Sequence, residues 1–143
     1  MKTFSPTELV ARIAVAISEM EGYPKKGSRA DRNNNPGNMR AWGSTPIVDG
    51  FAHFATPADG WAALRRQVQK NIGRGLTLRE FFGGKPNVYG GYAPDSDGNR
   101  SAHYAEFVAH RVGIEADEKR AAIDIPLPEL LAPERESIAQ KED

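Results

Sequence analysis

Apolar and polar positions alternate along this chain with helical spacing in four places, separated by stretches with no periodicity at all. Leu9, Val10, Ile13, Ala14, Ala16, Ile17 and Met20 fall on one arc at about 100° per residue. Ser5-Pro6-Thr7-Glu8 ahead of them is a capping box with proline at the first helical position, so the pattern predicts a helix over 6–21. Residues 22–38 carry glycine, proline, four asparagines and clustered basic groups, and read as loop. Two short strands are expected next, over 39–42 and 46–55, joined by Gly43-Ser44-Thr45. Thr56-Pro57 opens a second helix, with Trp61, Leu64, Val68 and Ile72 in register up to Gly73-Arg74-Gly75. Thr77 and Glu80 form another capping box before Phe81 and Phe82, and Gly83-Gly84 ends that short helix. A loop over 85–99 precedes a helix over 99–112, with Tyr104, Phe107, Val108 and Val112 inward and Gly113 as its C-terminal stop. A brief helical turn is expected near 117–123. The proline-spaced, charged segment 124–143 reads as a tail, leaving 1–123 as one domain of the α+β class, predominantly helical.

Composition narrows the function. Nineteen basic and nineteen acidic residues cancel, so no global charge points to nucleic acid or an anionic membrane. Cysteine is absent, which excludes thiol catalysis, a disulfide framework and zinc held on thiolates. The amino-terminal apolar stretch is broken by Pro6, Glu8 and Arg12 and makes a poor signal peptide, and no stretch promises membrane insertion. Localisation is therefore not read from the chain.

The candidate chemistry begins with Glu21. It lies just inside the edge of the apolar arc, one turn after Ile17, whereas Glu19 points with Glu8 and Arg12 to the polar side. A carboxyl at such a rim loses water, and its pKa rises toward what a general acid needs near neutrality. The plainer reading is an ordinary glutamate in a fraying last turn, capped by Gly22. The amide-rich turn Asn33-Asn34-Asn35-Pro36-Gly37-Asn38 either satisfies its own backbone or offers paired donors and acceptors to a sugar. Trp42, Tyr23, Tyr89 and Tyr92 are candidate stacking rings, each equally at home in a core. Asp95 to Glu106 imitates a calcium loop, but Arg100 stands where glycine is needed. The plainer role for that segment is to cap the following helix through Asn99 or Ser101. His53, His103 and His110 lack metal-ligand spacing. The basic run Lys25, Lys26, Arg29 and Arg32 is solvated or faces anionic groups of a substrate.

In this order and spacing, the helix ending Glu21-Gly22, the run Arg32-Asn33-Asn34-Asn35-Pro36-Gly37-Asn38-Met39-Arg40, Phe51-Ala52-His53-Phe54 with Thr56-Pro57-Ala58-Asp59-Gly60-Trp61, and Tyr92-Ala93-Pro94 with Asn99 and Tyr104 resemble the "NNPGN" group of lysozyme-like proteins. Members of that group are commonly encoded by phages or prophages. The same residues are more distantly similar to autolysin-type N-acetylglucosaminidases and to lytic transglycosylases. The likeness runs from about Ala11 to Gly113. It implies a lysozyme-like fold whose small β-hairpin lines a glycan cleft, and cleavage of peptidoglycan glycan strands by hydrolysis or lytic transglycosylation. Glu21 matches the catalytic acid and Tyr92 the tyrosine of the closing loop, while Asn34, Asn35, Asn38 and Arg40 match the border of the cleft, with Trp42 added as a candidate sugar platform. Pro94 stands where the autolysins have threonine, and Pro36-Gly37 alters the asparagine strand. Asp31 and Asp49 are the candidates for a second carboxylate, and the chemistry calls for no metal or cofactor. The implied partner is peptidoglycan, met at the cell wall or in a virion. The rival expectation is a non-catalytic virion or glycan-binding protein, with the tail engaging a virion or secretion partner.

Overall fold

A computed structural model describes residues 1–133. The protein is α+β with helix predominating. Its elements are α1 (Pro6–Met20), α2 (Arg29–Arg32), β1 (Ile47–Val48), β2 (Phe51–Ala52), α3 (Pro57–Gly73), α4 (Leu78–Gly83) and α5 (Ser101–Val112), followed by two 3-10 turns at Ala122–Asp124 and Leu127–Leu130. The caps read from the sequence close the helix starts. Ser5 Oγ accepts from the Glu8 N–H at 3.1 Å, Thr56 Oγ1 from Asp59, and Thr77 with Glu80 completes a reciprocal box.

Helix α1 packs against α3 and α5, and α4 packs on α5. Leu9, Ile13 and Ile17 share one core with Leu64, Val68, Phe81, Phe82, Val108 and Val112, all essentially inaccessible to solvent. This is the arc that the first helix's periodicity outlined. On α5, Val108 and Val112 are buried as expected and Ala105 and Ala109 join them, while Tyr104 and Phe107 lie only half-buried against the core.

Three sequence expectations are corrected. The β-structure is a single hairpin inside the expected second strand, pairing Ile47 with Ala52 and Val48 with Phe51. Asp49 and Gly50 form its turn with φ of +55° and +81°, the two-residue geometry that Asp-Gly favours. Residues 39–42 are not a strand; there the Met39 carbonyl accepts from the Ala52 N–H at 2.9 Å. Within the expected loop, α2 forms because Ser28 Oγ caps it, accepting from the Asp31 N–H at 3.2 Å. Finally, the segment from 124 is not a tail as far as it is described. Ile125, Leu127 and Leu130 are fully buried, and Leu131 bridges to Phe4. Short 3-10 turns of leucine and proline carry no periodicity by which to recognise a buried segment. Residues 134–143 lie outside the described residues.

Candidate active site

Glu21 occupies the C-cap of α1, and the cap is what aims it. The Gly22 N–H returns to the Glu19 carbonyl at 3.1 Å and the Tyr23 N–H to the Ser18 carbonyl at 3.0 Å, with Gly22 at φ +78°. This double closure is a Schellman motif, and it requires the left-handed conformation that glycine adopts without a steric penalty. The Glu21 N–H itself stays on the Ile17 carbonyl at 2.9 Å. The last turn is therefore fixed rather than frayed. The side chain is held against a cavity of about 440 Å³.

The asparagine turn builds the facing wall, mostly by giving its amides to the backbone. Asn35 is completely buried: its Nδ2 donates to the Met39 and Ala52 carbonyls, each at 2.9 Å, and its Oδ1 accepts from the Met39 N–H at 2.9 Å. Asn34, at φ +51°, donates to the Phe54 carbonyl. Asn33 donates to the Val48 carbonyl and accepts from His53 Nδ1, so this ring nitrogen carries the proton. Asn34 and Asn35 thus tie the turn to the hairpin and its exit, and neither lines the cavity. Asn38, at φ +46°, does line it, and its buried Oδ1 has no partner. That oxygen is shut off from solvent, so what Asn38 offers the site is its amide nitrogen, a donor that favours the Glu21 anion.

The third wall is the segment after α4. The Tyr92 and Ala93 N–H groups donate to the Phe81 and Phe82 carbonyls at 2.8 and 3.1 Å, and the Tyr92 ring packs on both phenylalanines. The Tyr92 hydroxyl donates to the Gly37 carbonyl of the asparagine turn. Burial holds this phenol well above its ordinary pKa, and the neighbouring Glu21 charge pushes it further in the same direction. It is a neutral hydrogen-bond donor already in use, which joins the loop to the asparagine turn.

Electrostatically Glu21 is the unusual group. Loss of water on burial raises its pKa from 4.5 to about 7, against a hydrogen bond from the Asn38 side chain and the more distant charge of the Arg29 guanidinium, which both favour the anion. A carboxyl poised near neutrality gives and takes a proton with equal ease at physiological pH.

Of the expected site residues, Glu21, Asn38, Arg40 and Tyr92 come together around this cavity. Trp42 does not; it lines a separate depression of about 490 Å³ with His53, Asp59 and Arg66. Asp31 is held in its own loop by the Gly27 N–H, and Asp49 faces Arg32 at 3.5 Å, so neither candidate second carboxylate reaches the cavity. The other carboxylate in the cavity wall is Asp97, 4.0 Å from Arg40. Sequence reasoning placed Asp97 only in the calcium-like loop, and it passed over Gln67 and Asn99 as cavity residues. Gln67 follows Leu64 by three on α3, a spacing that carries it to the edge of the core face. In the calcium-like loop, Asp95 Oδ1 accepts from the Ser101 N–H at 2.9 Å and so caps α5, in place of the expected Asn99 or Ser101 side chain. Among the described residues no group of three or more His, Asp or Glu side chains is arranged to hold a metal ion, and no helix is long and apolar enough to cross a membrane.

Compared with protein-family models, curated proteins and solved structures, the chain matches none.

Proposed function

We propose that this protein cleaves the glycan strands of peptidoglycan, with Glu21 as the acid and then the base, on a lysozyme-like body. One observation carries the reading: a capped helix end presents a desolvated carboxyl, with a pKa of about 7, to a cavity walled by amides and aromatic rings. Protonated Glu21 gives its proton to the glycosidic oxygen as the bond to the anomeric carbon breaks. With Asp31 and Asp49 outside the cavity, the route that fits best uses one carboxylate. The resulting Glu21 anion takes the proton of a substrate hydroxyl while that oxygen closes on the anomeric carbon, leaving an anhydro end and a regenerated acid. Asp97 is the residue through which a two-carboxylate hydrolysis would run. Tyr92 acts as a positioning residue, holding Gly37 and so the adjoining Asn38.

Turbidity loss of purified cell walls tests this, comparing wild type with Glu21→Gln. Clearing by wild type, slowed by roughly 10²–10⁴-fold in the variant, supports the assignment. Equal rates, or walls bound but uncut by either protein across pH and salt, overturn it; the latter leaves the non-catalytic glycan-binding reading. Mass spectrometry of the released fragments separates anhydro from reducing ends.

A further inference from the structure

Two guanidinium groups stand in the wall of the Glu21 cavity, and both lie over one ring. The Arg29 Cζ is 3.8 Å and the Arg40 Cζ 5.3 Å from the Phe51 ring centroid. The three residues come from α2, from the irregular stretch after the asparagine turn, and from the first position of β2. A guanidinium held over a ring by cation–π attraction keeps N–H donors free for a planar anion. Among the described residues Arg29 has no ion-pair partner, and Arg40 has only Asp97 at 4.0 Å while its side chain remains 68% exposed. Of the basic run 25–32, the rest is placed elsewhere: Arg32 donates to the Gly27 carbonyl and faces Asp49, and neither lysine lines the cavity. Two like charges gathered on one ring repel each other, and a bound carboxylate relieves that repulsion. A neutral sugar does not.

We infer that Arg29 and Arg40, gathered over the Phe51 ring, form a carboxylate subsite, and that the cavity selects glycans carrying free carboxylates beside the cleaved bond over neutral amino-sugar strands. The inference rests on the glycan-cleaving reading and specifies its substrate. It also links recognition to chemistry. The Arg29 charge favours the Glu21 anion, so a carboxylate paired with Arg29 keeps Glu21 protonated to higher pH in the complex than in the free protein.

The test is calorimetric binding to the Glu21→Gln protein, which holds glycan without cutting it. The ligands are a peptide-free muramyl oligosaccharide with free lactyl carboxylates, a peptide-bearing fragment, and each of these with its carboxylates converted to methylamides. At least one charged ligand should bind about ten-fold or more tightly than its methylamide, and the difference should shrink at high salt. Which of the two does so assigns the carboxylate to the sugar or to the peptide. Arg29→Gln with Arg40→Gln should abolish the difference, and Arg29→Gln in the active protein should move the alkaline limb of kcat/KM upward. Should the double variant fold poorly, the charged and neutralised ligands on otherwise unaltered protein still decide. Equal binding of both forms, or a preference that survives the double variant, overturns the subsite. Absence of binding by any fragment also overturns it. If wild type still clears walls, cleavage then stands without the subsite; if it does not, both readings fall together.

Discussion

Ionising a carboxyl at the wall of a cavity destabilises the fold that buries it, and for Glu21 the pH window follows from its two pKa values. Below about 4.5 the proton is bound in folded and unfolded chains alike; between 4.5 and about 7 only the folded chain keeps it. Stability from this group is therefore full at low pH, declines as pH rises through that interval, and levels off above it, a change of about 3 kcal/mol. Glu21→Gln, which carries no charge to bury, should be more stable than wild type at pH 8 by up to that amount, with the gap closing at pH 4. Urea denaturation at the two pH values measures it, and a gap independent of pH would mean that the carboxyl is solvated. Tyr92→Phe separates positioning from proton transfer at the opposite wall. Loss of the bond to Gly37 should cost about 1–2 kcal/mol of stability and leave wall clearing within about ten-fold. A loss of a hundred-fold or more would make the phenol a proton donor. The helical period was enough to read Glu21 as lying at a rim, because position on an arc depends on local spacing alone. That Asn38 and Arg29 tune it was not legible, since both arrive through loop geometry.

Elements rather than single side chains decide what the asparagine turn does. Composition counts amides but does not say whether they face a ligand or the backbone, and here the backbone takes most of them. Asn35→Ala removes one acceptor and two donated bonds from a fully buried site, stranding the Met39 N–H and two carbonyls. It should lower stability by about 3 kcal/mol or more and reduce activity only as folded protein is lost. Asn38→Gly should do the reverse, costing little stability while weakening substrate binding, because the side chain lines the cavity beside Glu21 and glycine keeps its φ of +46° without strain. Wall binding alongside thermal melts of both variants checks the division. α3 reinforces the same turn: a Cβ on Gly60 would collide with the Asn34 carbonyl oxygen, so only glycine lets the helix approach so closely. Capping boxes made the helix starts readable, since proline and hydroxyl residues act within four positions. The hairpin was misplaced because its Asp49-Gly50 turn lay inside an apolar run that also reads as one strand.

At the scale of the whole molecule, the two ends of the described chain hold each other. The Phe4 N–H donates to the Leu130 carbonyl and the Ala132 N–H to the Phe4 carbonyl, both at 2.8 Å, so the segment after Ile123 closes over the start of α1. Leu127 meanwhile donates its N–H to the Leu76 carbonyl at the turn between α3 and α4, and Arg79 grips Asp124 with bonds of 2.7 and 3.1 Å. The site depends on this closure indirectly, because α1 ends in Glu21 and α4 anchors the Tyr92 loop. A boundary drawn at residue 123 from the proline spacing would cut through the core. Ending the chain after Ile123 removes Ile125, Leu127 and Leu130, together worth about 6 kcal/mol of burial, which is on the scale of a small domain's entire stability. The shortened chain should lose its cooperative melt and near-ultraviolet circular dichroism. Leu127→Ala in the full chain, expected to cost about 2–5 kcal/mol, should lower the melting temperature while retaining two-state unfolding. A truncated chain that still melts cooperatively near the full-length temperature would show that α1, α3, α4 and α5 hold Glu21 in place without the segment that closes over them.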